Sequence, residues 1–175
     1  MAHADAELVR RWQRGDAAAF EELVRRWQAP IARFLARQVG RTDLVADLCQ
    51  EVFLRVFRAG SRYRATGAFS TWLYRIAYNV FRENARKRKE LVGIDEERLQ
   101  AEVDPQTTDP ALRHDLMNAL ANLPLHERTA VTLCCQNGLS HDEAARVLDI
   151  PLGTVKTNVL RGREKLKKML AAWAT

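Results

Sequence analysis

An all-α fold of two small helical domains joined by an acidic linker, the C-terminal one a helix-turn-helix, is what this sequence predicts. Three observations carry the prediction. Apolar residues recur at three- and four-residue spacing and never alternate with period two for long enough to suggest a strand. Glycine and proline are scarce, 8 and 5 in 175 residues, while the abundant Ala, Leu, Arg and Glu lose little rotamer freedom in a helix. After Lys89 the composition shifts to a stretch rich in Asp and Glu with no amphipathic stripe, and helical periodicity then resumes.

The elements follow in order. Leu8, Val9 and Trp12 share the face of a first helix, which Gly15-Asp16 stops while capping the next. Phe20, Leu23, Val24 and Trp27 keep helical spacing up to Pro30, which is expected to open a third helix bearing Ile31, Phe34 and Leu35. Thr42 can cap a fourth, with Leu44, Val45, Leu48, Val52 and Val56 inside. A loop from Ala59 to Gly67 has a glycine near each end, expected to give it conformations closed to other residues. A long helix then runs from about Ser70 to Lys89 and buries Trp72, Leu73, Ile76, Ala77 and Val80.

Gly93 to Asp109, with Asp95, Glu96, Glu97, Glu102, Asp104 and Asp109, reads as the linker, because a loop this long and this poor in apolar residues is uncommon inside a compact domain. The expected division is 1–92, 93–110 and 111–175. Asp109-Pro110 caps the next helix, with Leu112, Leu116, Leu120 and Leu123 on one face. Pro124 restarts the chain, and Val131, Leu133 and Cys134 lie in a helix stopped by Asn137-Gly138. Ser140 to Glu143 forms a capping box, which stabilises a helix start by about 1 kcal/mol. A short helix to Leu148, a tight turn through Pro151 and a last helix into Ala172 complete the chain, its inner stripe being Leu152, Val155, Val159, Leu166 and Met169.

The net charge of +6 favours a polyanionic partner, nucleic acid before an anionic membrane surface. No apolar run approaches a membrane span, so no membrane insertion is expected, and the N-terminus lacks the apolar core of a signal peptide. Cys49, Cys134 and Cys135 form no CxxC pair and read as reduced thiols of a cytoplasmic protein. With His3, His114, His126 and His141 they make no ligand set, so neither metal nor cofactor is expected. A P-loop, an activated nucleophile and paired acids are all missing, which argues against an enzyme.

A capped short helix, a tight turn and a second helix are the parts of a helix-turn-helix. Its outer face carries Thr154, Thr157, Arg161, Lys165 and Lys168, with Lys156, Asn158 and Arg163 beside it. Short polar groups first and arginines further on suit base edges and then phosphates, although an ordinary helical hairpin with a solvated basic face would look similar. The stretch GLSHDEAARVLDIPLGTVKTNVLRGREKL, Gly138 to Leu166, resembles region 4 of bacterial extracytoplasmic-function (ECF) RNA polymerase sigma factors of the sigma-70 superfamily. A second, independent likeness lies upstream: DLCQEVFLRVF, Asp47 to Phe57, and FSTWLYRIAYN, Phe69 to Asn79, are similar to region 2 of the same family.

The resemblance implies an alternative sigma factor, not an enzyme, which binds core RNA polymerase through its clamp helices and flap, directs it to promoter DNA and helps open the duplex. On that reading Asp47, Gln50, Glu51 and Phe53 grip the polymerase. Ser61, Arg62, Tyr63, Arg64, Thr66, Trp72, Arg75, Tyr78, Asn79 and Arg82 face the −10 element, with the loop before Gly67 holding a flipped base. Ser140, Thr154, Lys156, Thr157, Asn158, Arg161, Arg163 and Lys165 face the −35 element. It also implies an anti-sigma factor as partner, and a linker threading the RNA exit path, which a plain tether would match equally well. Aromatic rings and a basic groove suit unstacked bases, yet Phe69 and Trp72 equally fit a core stripe. Asn158 and Cys49 depart from the family pattern, the first removing a cation close to the groove. The competing reading, a freestanding helix-turn-helix regulator, has no use for the cluster of Asp47, Gln50 and Glu51 and would normally dimerise. Unless the two halves pack together or against an inhibitor, their relative placement is expected to vary.

Overall fold

The computed structural model describes residues 2–39, 42–64, 67–92 and 110–171, and every regular element among them is helical. The first half holds α1 (Ala2–Gln13), α2 (Ala17–Val39), α3 (Val45–Ala59) and α4 (Phe69–Val92). The second holds α5 (Pro110–Ala121), α6 (Leu125–Val131), α7 (His141–Leu148) and α8 (Leu152–Met169). Short 3-10 turns precede and follow α3, and a π-helical segment, Thr132–Gln136, prolongs α6. The acidic linker lies outside the described residues, apart from Pro110 at the start of α5.

Local signals behave as the chemistry requires. Gly15 (φ 95°) and Gly138 (φ 69°) supply left-handed stops. Asp16 Oδ1 accepts from the Ala19 N–H at 3.2 Å and so caps α2. The capping box of α7 is complete: Glu143 N donates to Ser140 Oγ at 3.2 Å, and Ser140 N donates to Glu143 Oε2 at 2.9 Å.

Three expectations are corrected. Pro30 opens no new helix, because α2 runs through it from Ala17 to Val39. An interior proline removes one hydrogen bond and costs about 3 kcal/mol. Leu23, Trp27, Ile31, Phe34 and Leu35 all face the core in one register across it, and each such burial returns about 1.5–3 kcal/mol. Met169 is exposed rather than on the inner stripe of α8, whose last residue packed against a core cluster is Leu166. Gly60 serves by lacking a side chain, not by an unusual backbone: its φ is −59°, and a Cβ there would overlap the Trp12 ring.

The two halves close on each other and share one apolar core. Leu35, Leu73, Tyr74 and Phe81 from the first belong to the same buried cluster as Leu133, Ala144, Val147 and Val155 from the second. α4 lies against α7, and the end of α2 meets α6. A smaller cluster of Met117, Leu120, Leu123 and Val131 joins α5 to α6 and α8. Polar contacts among the described residues stitch the halves together. Thr129 Oγ1 lies 2.8 Å from the buried Gln38 Oε1, and Arg128 Nη2 donates to the Gln38 carbonyl at 3.2 Å. Asn137 Nδ2 donates to Tyr74 Oη at 2.6 Å, and Thr71 Oγ1 donates to Glu143 Oε1 at 3.1 Å.

Candidate functional site

Three surfaces carry the residues singled out in the sequence. On α3, Leu48, Val52 and Val56 turn into the core, which leaves Asp47 and Gln50 exposed on the opposite face. Glu51 is half-buried and accepts from Arg55 Nε at 2.6 Å, while the other end of that guanidinium forks onto Glu83 of α4 at 2.9 and 2.8 Å. The Arg55 hydrogen bond holds the Glu83 carboxyl below its usual value. Phe53 is half-buried against the core. Two residues that sequence reasoning missed share the outer face: Leu54 and Phe57, 41% and 58% exposed. Phe57 extends an aromatic group with Phe20 and Trp12, ring centroids 5.2 and 6.4 Å away. Their position is a usable signal, since Leu54 follows Asp47 by two helical turns. Large exposed apolar groups beside polar ones suit a protein partner.

The second surface combines the loop before α4 with α4 itself. Gln13 Nε2 donates to the carbonyls of Gly60 and Tyr63 at 2.8 and 2.9 Å, anchoring the turn. Arg62 and Arg64 are exposed; Thr66 and the side chain of Ser61 lie outside the described residues. Tyr63 is buried, its ring centroid 4.5 Å from that of the half-buried Trp72. Between Tyr63, Arg64, Thr71, Trp72 and Arg75 lies a cavity of about 120 Å³, with Arg146 of α7 on its far wall. Arg75, Asn79 and Arg82 form an exposed row along α4. Tyr78 is buried beneath it, with the Arg82 guanidinium 5.7 Å from its ring centre.

The third surface is α8. Asp149 turns the chain in a left-handed conformation (φ 57°), and Val155 and Val159 hold α8 to the core. Gly162 lets α8 approach α6, since a Cβ there would stand 2.6 Å from Val131. Thr154, Lys156, Thr157, Arg161 and Arg163 are exposed, and Asn158 is half-buried. Leu160, which the sequence pattern does not single out, stands among them 60% exposed. Ser140 sits apart, at the start of α7, where its hydroxyl is used in the cap. Lys165 Nζ pairs with Glu127 of α6 at 2.9 Å, so its charge is matched within the protein.

This geometry has relatives. Residues 23–90 match the family model of sigma-70 region 2, and residues 113–166 that of sigma-70 region 4. The chain is 35% identical over 180 residues to the RNA polymerase sigma-H factor of Pseudomonas aeruginosa, covering 95% of this chain and 93% of that one. It belongs to the ECF sigma factors of the sigma-70 superfamily. The ECF sigma-E factor of Escherichia coli K12 is likewise 35% identical over 176 residues, 93% of this chain and 92% of its own. Among solved structures, the sigma factor RpoE in complex with the anti-sigma factor NepR from Bartonella quintana shares the fold (TM-score 0.77, 23% identity, 87% of this chain and 96% of that one). So does CnrH in complex with the cytosolic domain of CnrY (TM-score 0.71, 24% identity, 97% and 98%).

The chain is therefore an alternative sigma factor, a transcription initiation factor. It carries no cluster of His, Cys, Asp and Glu able to hold a metal among the described residues. Burial pushes the Cys134 thiol up to about 11, which leaves it a poor nucleophile. No helix among the described residues is long and apolar enough to cross a membrane.

Proposed function

We propose that this sigma factor docks on core RNA polymerase through the outer face of α3, recognises and opens the −10 element with the 59–67 loop and α4, and reads the −35 element with α8. The observation that supports this most directly is the separation of chemistries. Asp47, Gln50, Leu54 and Phe57 make a polar and apolar face suited to a basic protein, while Arg75 and Arg82 of α4 and Arg161 and Arg163 of α8 are exposed where phosphates and bases would meet them. Residues 1–92 and 111–175 act as the two working units, with 93–110 spanning the gap. The factor performs no chemistry of its own, works in the cytoplasm where polymerase and chromosome are, and is held in check by an anti-sigma factor. Lys156, Thr157 and Arg161 contact −35 bases; Lys165 engages phosphate only by giving up Glu127.

Transcription in vitro with core polymerase on a promoter library tests the whole reading, since the chain must confer initiation on a defined promoter set. Melting is tested by scrambling Ser61 to Thr66. Thymines on duplex promoters should then lose permanganate reactivity, while core binding survives and a premelted bubble restores part of the activity, its unstacking cost of a few kcal/mol per base already removed. Normal thymine reactivity with the scrambled loop would move melting to α4.

A further inference from the structure

We infer that Gln13 of α1 is a positioning residue for promoter opening: it fixes the turn from which the 59–67 loop departs, so the N-terminal helix takes part in melting. The inference rests on the reading that this loop opens the duplex. The residues that match the family model of region 2 begin at position 23, and α1 lies before them. Gln13 is the last residue of α1, and its amide nitrogen donates to the carbonyls of Gly60 and Tyr63 at 2.8 and 2.9 Å, 47 and 50 positions further along the chain. Both acceptors are carbonyls, so the role requires two N–H groups on one atom at this reach, which glutamine has and glutamate lacks. The two carbonyls bracket the 3-10 turn Gly60–Arg62, which the Tyr63 N–H closes on the Gly60 carbonyl at 3.1 Å. At Tyr63 the backbone becomes extended (φ −62°, ψ 128°), so its carbonyl has no helical partner, and Gln13 supplies one.

Trp12 adds a second hold. Its ring fills the space that a Cβ on Gly60 would need, and is itself braced by Phe20, ring centroids 4.8 Å apart. Ring and amide together decide where the chain leaves α3, how Tyr63 turns inward onto Trp72, and from where the exposed Arg62 and Arg64 project. Placement matters for such a task, since a shift of about 1 Å in a group that must meet its target can cost about 100-fold. Gln13 is exposed, so replacing it removes no core packing. Val52 and Val56 still hold α3 to the core, and Val155 and Val159 still hold α8. The effect of losing the anchor is therefore confined to the loop, and polymerase docking and the −35 surface keep their own supports.

Permanganate footprinting of the full chain with core polymerase tests the anchor. Gln13→Ala should slow thymine exposure on duplex promoters about tenfold or more, as two hydrogen bonds are lost. Gln13→Glu, of nearly the same shape, should slow it further, because a carboxylate then faces two carbonyls with no N–H to offer. Core binding and initiation from a premelted bubble should stay within about twofold of the parent, whereas a general loss of fold would lower them together with melting. Glu7→Gln, which removes a surface pair with Arg10 on the same helix, should leave melting unchanged. Combining Gln13→Ala with the scrambled Ser61 to Thr66 segment should add nothing to the scramble alone, since both act through one element. Parent-like melting in both Gln13 variants, equal loss on duplex and bubble, equal loss in Glu7→Gln, or additive losses in the combined variant would each overturn the inference. The scramble by itself judges the loop: normal melting there sinks the loop reading and the anchor with it. Lost melting there beside parent-like Gln13 variants sinks the anchor alone.

Discussion

The outer face of α3 and the face of α4 that carries Thr71 and Tyr74 belong to the same helical half, yet one is open and the other is covered. On α3, Asp47 and Gln50 are exposed beside the exposed Leu54 and Phe57. On α4, Tyr74 is 2% exposed with its hydroxyl bonded to Asn137, and Thr71 donates to Glu143 of the helix-turn-helix. A closed chain thus presents its proposed polymerase surface and leaves Arg75, Asn79 and Arg82 of α4 and Thr154, Lys156, Thr157 and Arg161 of α8 exposed, while Thr71 and Tyr74 are covered by the second half. The closed contact is not fully satisfied, however. Gln38 Nε2 and Asn137 Oδ1 are buried without a hydrogen-bond partner among the described residues, and an unmet buried polar group costs about 1–3 kcal/mol. A contact that carries such a penalty is suited to being exchanged for another partner.

The largest expected effect is on the open face. Replacing Asp47, Gln50 and Glu51 together with alanine should weaken association with core polymerase by about 100-fold or more, since several contacts of about 1–2 kcal/mol are removed at once. Circular dichroism should show unchanged helix content, because these side chains support no core packing. Undiminished pull-down by the folded triple variant would remove α3 from the interface.

Next comes Arg161→Ala on α8. A lost bidentate base contact costs about 1–3 kcal/mol and relaxes specificity at that position. Equal losses on cognate and scrambled −35 sequences would assign Arg161 to phosphate instead. A smaller effect is expected for the covered face. Asn137→Ala deletes the hydrogen bond to Tyr74, worth about 1 kcal/mol, so amide exchange at the α4–α7 contact should quicken roughly fivefold with polymerase binding unchanged. Unaltered exchange would mean that apolar packing alone holds the halves.

The smallest concerns acid. Hydrogen bonds from the Ser140 backbone and hydroxyl, then from Thr71, hold the Glu143 carboxyl below its ordinary 4.5. Its stabilisation is therefore complete above 4.5 and is lost as pH falls through the lower folded value. Melting temperatures between pH 6 and 3 should fall less steeply for Glu143→Gln than for the parent chain; parallel curves would show that other carboxylates govern the acid loss.

Much of this is legible in the residues alone. The Ser140–Glu143 box, the Gly138 stop and the apolar stripe of α3 are local, set by bonds within one turn of helix or by 3.6-residue periodicity, and each stands where the residues put it. Exposed Thr154, Lys156, Thr157 and Arg161 follow from the same periodicity, because Val155 and Val159 fix which way α8 faces. The misses share a cause. Pro30 is a helix start by its backbone chemistry alone, whereas the core on both sides of it outweighs one lost hydrogen bond. Gly60 has a backbone freedom it does not use, because the Trp12 ring that requires its small size lies 48 positions earlier in the chain.

By itself the sequence determined the helices, their inner and outer faces and the order of the surfaces, since all of these depend on residues within a few positions of one another. Only the tertiary structure decided which outward residues remain outward. Lys165 reads as a free cation until Glu127 meets it, and only the closed structure shows Tyr74 bonded to Asn137 and Arg146 set over Gly67. Pairings across tens of residues leave no periodic trace, because they are fixed by which apolar faces close on each other and not by the spacing along either one.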